Sequence, residues 1–155
     1  MDMARWDNLV RGIDCPYDAP RVESNDYWDL VASLTVTSLY LAKNQTYRGQ
    51  CLLIFDTQHA VRPEQLLESQ WSAFCADLYK SEGAISHTVQ PDHINLASMG
   101  NLIPHLHWHI VPRYRNDPRC GAPIWQTSLG NMPDTRHGPQ EQDELIGGLR
   151  EALTV

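Results

Sequence analysis

The sequence predicts an α+β domain built on an antiparallel sheet, and three observations lead there. Strand-like runs cluster instead of alternating regularly with helices. One long stretch after Arg62-Pro63 carries Leu67, Trp71, Phe74, Cys75 and Leu78 at helical spacing. The run Pro104-His105-Leu106-His107-Trp108-His109-Ile110-Val111-Pro112-Arg113 alternates with a period of two, the pattern of an extended segment with two unlike faces. At 155 residues the chain suits a single domain, 1–155, large enough to bury a core without disulfides or a structural metal.

The elements follow in order. Residues 1–26, rich in Asp, Pro, Asn and Arg, show no sustained period and are expected to wrap the surface as an N-terminal extension. Leu34 to Leu41 and Gly49 to Phe55 are apolar, aromatic and β-branched, and the turn-like segment 43–48 separates them, so they read as two antiparallel strands. Arg62-Pro63-Glu64 starts a long helix expected to end near Gly83, its apolar stripe against the sheet. His93 to Met99 reads as a strand that turns at Gly100-Asn101 into the histidine strand and pairs with it. Residues 120–155 form an irregular C-terminal segment rich in Pro, Gly, Asn and Asp, closing in a short helix from Glu141 to Leu153.

Composition limits function. Twelve Lys and Arg against nineteen Asp and Glu leave a formal charge of −7, which disfavours non-specific nucleic-acid binding. No stretch approaches the roughly 18 apolar residues of a membrane span, and the start lacks a signal-peptide core, so a cytoplasmic protein without membrane association is expected. Cys15, Cys51, Cys75 and Cys120 are scattered singly. Reduced cysteines are expected, with Cys51 and Cys75 in the core.

The alternating histidines carry the chemistry. Imidazole exchanges protons near neutral pH, so three on one strand face can attack, accept and donate under working conditions. Metal binding is a rival use. Strand neighbours two apart lie about 6.6 Å apart at Cα, so one zinc ion with nitrogens at about 2.0 to 2.1 Å could take two adjacent histidines but hardly all three. No further ligand is marked out by spacing, and His59, His87, His93 and His137 read as surface residues. No metal site is expected, nor any bound redox cofactor; a divalent ion would at most accompany a substrate's phosphates.

The run from His105 to Val111 resembles the signature of the histidine-triad (HIT) family, His-φ-His-φ-His-φ-φ with φ apolar, at every position. Gly49 to Phe55 is similar to that family's Gly-His-φ-φ-φ-φ-Pro strand, Pro63 to Lys80 to its central helix, and Asn95 to an Asn about ten residues before the first histidine. The resemblance spans roughly residues 15 to 125. It implies a HIT-like fold: an antiparallel sheet, a long central helix and a short C-terminal helix, in a homodimer whose sheets join edge to edge. It further implies a hydrolase or nucleotidyl transferase that cleaves dinucleoside polyphosphates or related nucleotide conjugates at the α-phosphorus.

On that resemblance His107 is the nucleophile, forming a nucleotidyl-histidine that water later cleaves. His109 bonds the phosphate oxygens and His105 orders the strand, while Asn95 and Asn101 are further amide donors. Some positions depart from the family. Gln50 stands where many members have a fourth histidine. Leu102 replaces the serine of phosphoramidate-cleaving members, and Gly100-Asn101 their Gly-Gln. Asp18 stands where some relatives complete a Cys-x-x-Cys, so their zinc site is not expected. Ala42 lies near the place of a ribose-holding acid, with Asn44 as its polar substitute, and Tyr40, Leu41 and Leu53 are candidates for a base pocket. A nucleotide sensor without turnover would carry the same triad.

Overall fold

The structure is a computed structural model, and it describes residues 2–18, 21–126 and 133–154. A helix α1 (Met3–Val10) precedes three strands, β1 (Trp28–Ser33), β2 (Thr37–Ala42) and β3 (Cys51–Phe55). The long helix α2 (Glu68–Val89), two further strands β4 (His93–Ala97) and β5 (His107–Arg113), and the helix α3 (Pro139–Ala152) complete the chain. The strands form one antiparallel five-stranded sheet in the order β1-β2-β3-β5-β4.

Period-two alternation gives the sheet two different faces. Leu39, Leu41, Leu53, Phe55 and Ile110 point to one side, where they bury against Phe74, Ile85 and Val89 of α2 and Leu145 and Leu149 of α3. Tyr40, Leu52 and Ile54 occupy the other face, together with His107 and His109 in register with Ile54 and Leu52. Leu41 and Leu53 are thus core residues under the helices, and of the three candidate pocket residues only Tyr40 lies on the histidine face.

Several boundaries differ from the sequence reading, each for a tertiary reason. The apolar run from Leu34 is broken by a turn, and β1 lies before it. Asp77 of α2, 1% exposed, accepts hydrogen bonds from Thr35 N (3.2 Å), Val36 N (2.9 Å) and Thr37 Oγ1 (2.9 Å) and so holds that turn closed. Helix α2 runs past Gly83 because Ala84, Ile85 and Val89 beyond it are buried, which outweighs the roughly 1 kcal/mol that glycine costs in a helix. It ends at Gln90, left-handed at φ 47°, just before Pro91. Cys75 falls on the outer side of α2 and is exposed, whereas Cys51 is fully buried.

The N-terminal stretch also carries more structure than its composition suggests. Asp2 caps α1 by accepting from Ala4 N at 3.0 Å, Leu9 is buried, and Trp6 Nε1 donates to Asn101 O at 3.2 Å. This ties α1 to the loop that leads into the histidines.

Candidate functional site

Strand β5 enters the sheet between β3 and β4, which rigidly fixes the histidine face. His107 is 5% exposed, and its Nδ1–H donates to the carbonyl of His105 at 2.7 Å. A carbonyl can only accept, so the proton of the neutral ring sits on Nδ1 and the lone pair on Nε2. His109 lies edge-on to His107, ring centroids 5.2 Å apart. Two more aromatic rings bracket the pair: Tyr17 stands edge-on to His107 at 5.4 Å, and Trp125 meets His109 at 5.7 Å.

Burial makes these imidazoles weak bases. Desolvation lowers the pKa of His107, partly offset by its bond to the His105 carbonyl. His109 is pushed down to about 4, first by burial and then by repulsion from His107. Its Nδ1 is buried without a hydrogen-bond partner among the described residues. At neutral pH the pair is therefore uncharged, one ring offering a lone pair and the other an N–H.

Ile54, the cross-strand partner of His107, and Tyr17, edge-on to it, line a cavity of about 360 Å³ on the same face, which His107 and His109 do not themselves line. Trp28, Tyr40, Ile54 and Val22 give it apolar walls, while Arg21, Asn25, Ser38 and Asp56 supply polar groups. Ser38 Oγ donates to Asp56 Oδ2 at 2.5 Å, and Arg21 pairs with the same oxygen at 2.6 Å. The N-terminal segment carrying Pro16, Tyr17 and Asp18 forms a further wall.

His105 does something different from its two companions. It precedes β5, is 1% exposed, and donates from Nε2 to Phe55 O at 2.5 Å. Its Nδ1 turns toward Cys15 Sγ (3.6 Å) and Asp18 Oδ1 (3.3 Å). His59 completes the group, with Nδ1 at 2.7 Å from Asp18 Oδ2 and Nε2–H donating to Val10 O at 3.1 Å. One ligand atom from each of Cys15, Asp18, His59 and His105 lies within 4.8 Å of all the others. Each imidazole has its outer N–H bound to a carbonyl, the arrangement that orients metal-ligating histidines, and each inner nitrogen faces the same carboxylate. Two imidazole nitrogens, a carboxylate and a thiol converging this closely form a donor set that fits a divalent ion. His59 is accordingly half-buried in a cluster instead of a surface residue, and the three ligands that spacing did not reveal come from the N-terminal turn (Cys15 and Asp18) and the segment after β3 (His59).

The remaining sequence candidates are distributed unevenly. Gln50 lies at the head of β3, next in alternation to Leu52 on the histidine face, and is half-buried. Asn95 is opposite Val111, and its Oδ1 accepts from Arg113 Nη1 at 2.7 Å. Asn101 is exposed in the loop beneath Trp6, and Leu102 is 63% exposed. Asn44 is not brought to the histidines: its amide binds Pro133 O at 2.8 Å and Thr46 N at 3.0 Å, fixing the approach to α3. Arg113, 8% exposed, is a structural hub that pairs with Asp117 and with the carbonyls of Arg119 and Ala122, and so shapes the loop that presents Trp125. Tyr17, Trp125, Arg21 and Asp56 carried no sequence signal, since each reaches the site from a segment without periodicity.

Residues 30–116 match the family model described as the HIT domain, and this span contains the whole histidine strand and its sheet partners. The chain belongs to the HIT family. No curated protein matches it. Among solved structures, a histidine triad protein from Bradyrhizobium japonicum is 25% identical with a TM-score of 0.77, covering 89% of this chain and 99% of that one. A histidine triad protein from Marinobacter aquaeolei VT8 is 20% identical with a TM-score of 0.72, over 82% of this chain and 89% of its own. A Zn-bound histidine triad family protein from Mycobacterium smegmatis is 21% identical with a TM-score of 0.56, over 97% and 92%. The five-stranded sheet with its long helix is the HIT fold that the triad implied, and α1 extends it. Among the described residues no helix is long and apolar enough to cross a membrane.

Proposed function

We propose that this HIT protein is a nucleotidyl hydrolase or transferase that takes the α-phosphorus of a nucleotide conjugate onto His107 Nε2. The observation that carries the reading is the pinned tautomer of His107 beside a cavity with aromatic walls. Its Nδ1–H is held at 2.7 Å by a backbone carbonyl, which leaves Nε2 as the nucleophile. The neighbouring cavity, about 360 Å³, is of small-molecule size, and Trp28 and Tyr40 suit a planar base.

In the first step Nε2 bonds to phosphorus and the bond to the leaving group breaks, the electron pair departing with that group. In the second, water attacks the same phosphorus, the P–N bond breaks, and the electron pair returns to His107, releasing a nucleoside monophosphate. His109, held neutral, donates its N–H to the phosphoryl oxygens as charge builds there. Gln50 donates a further hydrogen bond from the head of β3. Asn95 and Asn101 contribute to this polar rim in the proposal; Asn44 acts through the C-terminal segment.

Cys15, Asp18, His59 and His105 would hold a divalent ion, with Cys15 as thiolate. Such an ion supplies charge compensation for Asp18 and a rigid anchor for His105. Edge-strand β4, with Leu96 at 38% exposure, and Met99 just after it at 40%, form the surface through which two copies pair as a homodimer.

The test is incubation with diadenosine polyphosphates and adenylated conjugates. AMP release is followed alongside an acid-labile adduct on the protein. Parent protein should form both, and His107→Ala neither. AMP release by His107→Ala at the parent rate overturns the mechanism, and tight nucleotide binding without product across the panel favours a sensor.

A further inference from the structure

Cys15 and Asp18 sit on either side of Pro16 and Tyr17, two residues that form a wall of the cavity beside His107. The same short segment thus contributes half of a four-ligand cluster and one side of the nucleoside pocket. Tyr17 is the mechanical link. Its ring stands edge-on to His105, a ligand, at 5.7 Å, and to His107, the nucleophile, at 5.4 Å.

Without a cation, the segment is held by Tyr17 packed against Tyr40, Leu52 and Ile54, by the buried Cys15 and by the Asp18–His59 pair. Arg21 reaches Asp56 at 2.6 Å, but its side chain is 42% exposed, and exposed ion pairs contribute little. No strand pairs with residues 15–18, so the link from this segment to His59 and His105 runs through Asp18. With a cation, the segment is joined to His59 after β3 and to His105 before β5, two points fixed by the sheet.

We propose that the divalent ion held by Cys15, Asp18, His59 and His105 clamps residues 15–18 over the sheet and so builds the nucleoside pocket. Nucleotide affinity then follows metal occupancy although the ion never touches the nucleotide. This rests on the nucleotide reading above and adds a control to it. The aspartate at position 18 matters to that control. An oxygen ligand in place of a second sulfur gives a harder, more weakly thiophilic set of two nitrogens, one oxygen and one sulfur, which releases the ion to chelators more readily than a two-sulfur set.

The experiment compares the full chain as purified, stripped with a chelator, and reloaded with zinc. Three readouts are followed: metal content, AMP affinity by calorimetry, and tryptic cleavage after Arg21. The loaded form should hold one ion per chain, resist cleavage after Arg21 and bind AMP. The stripped form should be cut there and bind AMP at least about tenfold more weakly, with zinc restoring both. Tyr17→Ala keeps every ligand, so it should bind the ion fully yet show the weakened AMP affinity, and Tyr17→Phe should restore it. Asp18→Asn should lose ion at lower chelator concentration than the parent.

Equal AMP affinity in loaded and stripped protein overturns the coupling, and so does failure to take up one ion. If neither form binds AMP but the ion still governs cleavage after Arg21, the nucleotide reading falls and the clamp stands. If neither AMP nor cleavage responds, both fall.

Discussion

Acid should destabilise this protein through His109. In the fold its imidazole is pushed from 6.5 down to about 4, because burial penalises the cation and His107 adds repulsion. In the unfolded chain the same ring titrates near ~6.5. Protons therefore bind the unfolded chain first. The contribution is intact above about pH 6.5, is lost as the pH falls, and levels off below about pH 4, where both states are protonated. By linkage, this ring alone accounts for about 2.5 kcal/mol lost by pH 4.5 and about 3 kcal/mol at full protonation. His109→Gln removes the titration while keeping an amide donor of similar reach. Urea midpoints for parent and variant, measured from about pH 8 down to about pH 4.5, give the comparison directly. The parent should lose about 2 to 3 kcal/mol more than the variant over that range. His105 and His107, also lowered by burial, remain in both proteins and cancel in the difference. Parallel loss of stability in parent and variant would show that His109 is not held neutral by the fold, and its role as an uncharged donor would fall with that result.

Other perturbations test the frame around the site. Asp77→Ala leaves two backbone N–H groups and the Thr37 hydroxyl without their acceptor, so urea unfolding should register a loss of about 3 to 5 kcal/mol, and Asp77→Asn a smaller one. Losses below about 1 kcal/mol for both would mean that the carboxylate does not hold the β1–β2 turn. Gly49 has φ +84°, and a Cβ there would lie 2.9 Å from both methyls of Val89. Gly49→Ala should therefore cost about 2 to 4 kcal/mol, of which Val89→Ala relieves the clash but not the backbone strain. Arg113→Lys cannot reproduce the fork that spans Asp117, Asn95 and the carbonyls of Arg119 and Ala122. Thermal unfolding should show a drop equivalent to about 2 to 4 kcal/mol, and an unchanged midpoint would remove Arg113 as the organiser of the Trp125 loop.

The sequence by itself determined the parts governed by local period and composition. His107, Trp108, His109 and Ile110 alternate because a strand turns each residue through half a revolution, so their two faces were legible before any fold was known. The helical stripe gave α2 and, through Trp71, Phe74 and Leu78, the side on which it packs, although Leu67 and Cys75 of that stripe are exposed and the helix begins at Glu68 rather than Pro63; the triad gave the family.

Only the tertiary structure decided the rest. The strand break at 34–36 depends on a carboxylate 41 positions later in the chain, and the end of α2 on burial beyond Gly83. Cys15, Asp18, His59 and His105 come from three separate segments, and Tyr17 and Trp125 from stretches with no period at all. The physical reason is the same in each case. Periodicity records which way a side chain points along its own element, whereas a cluster such as this one is set by where distant segments end, and that is fixed by packing and by the bonds made after the sheet has formed.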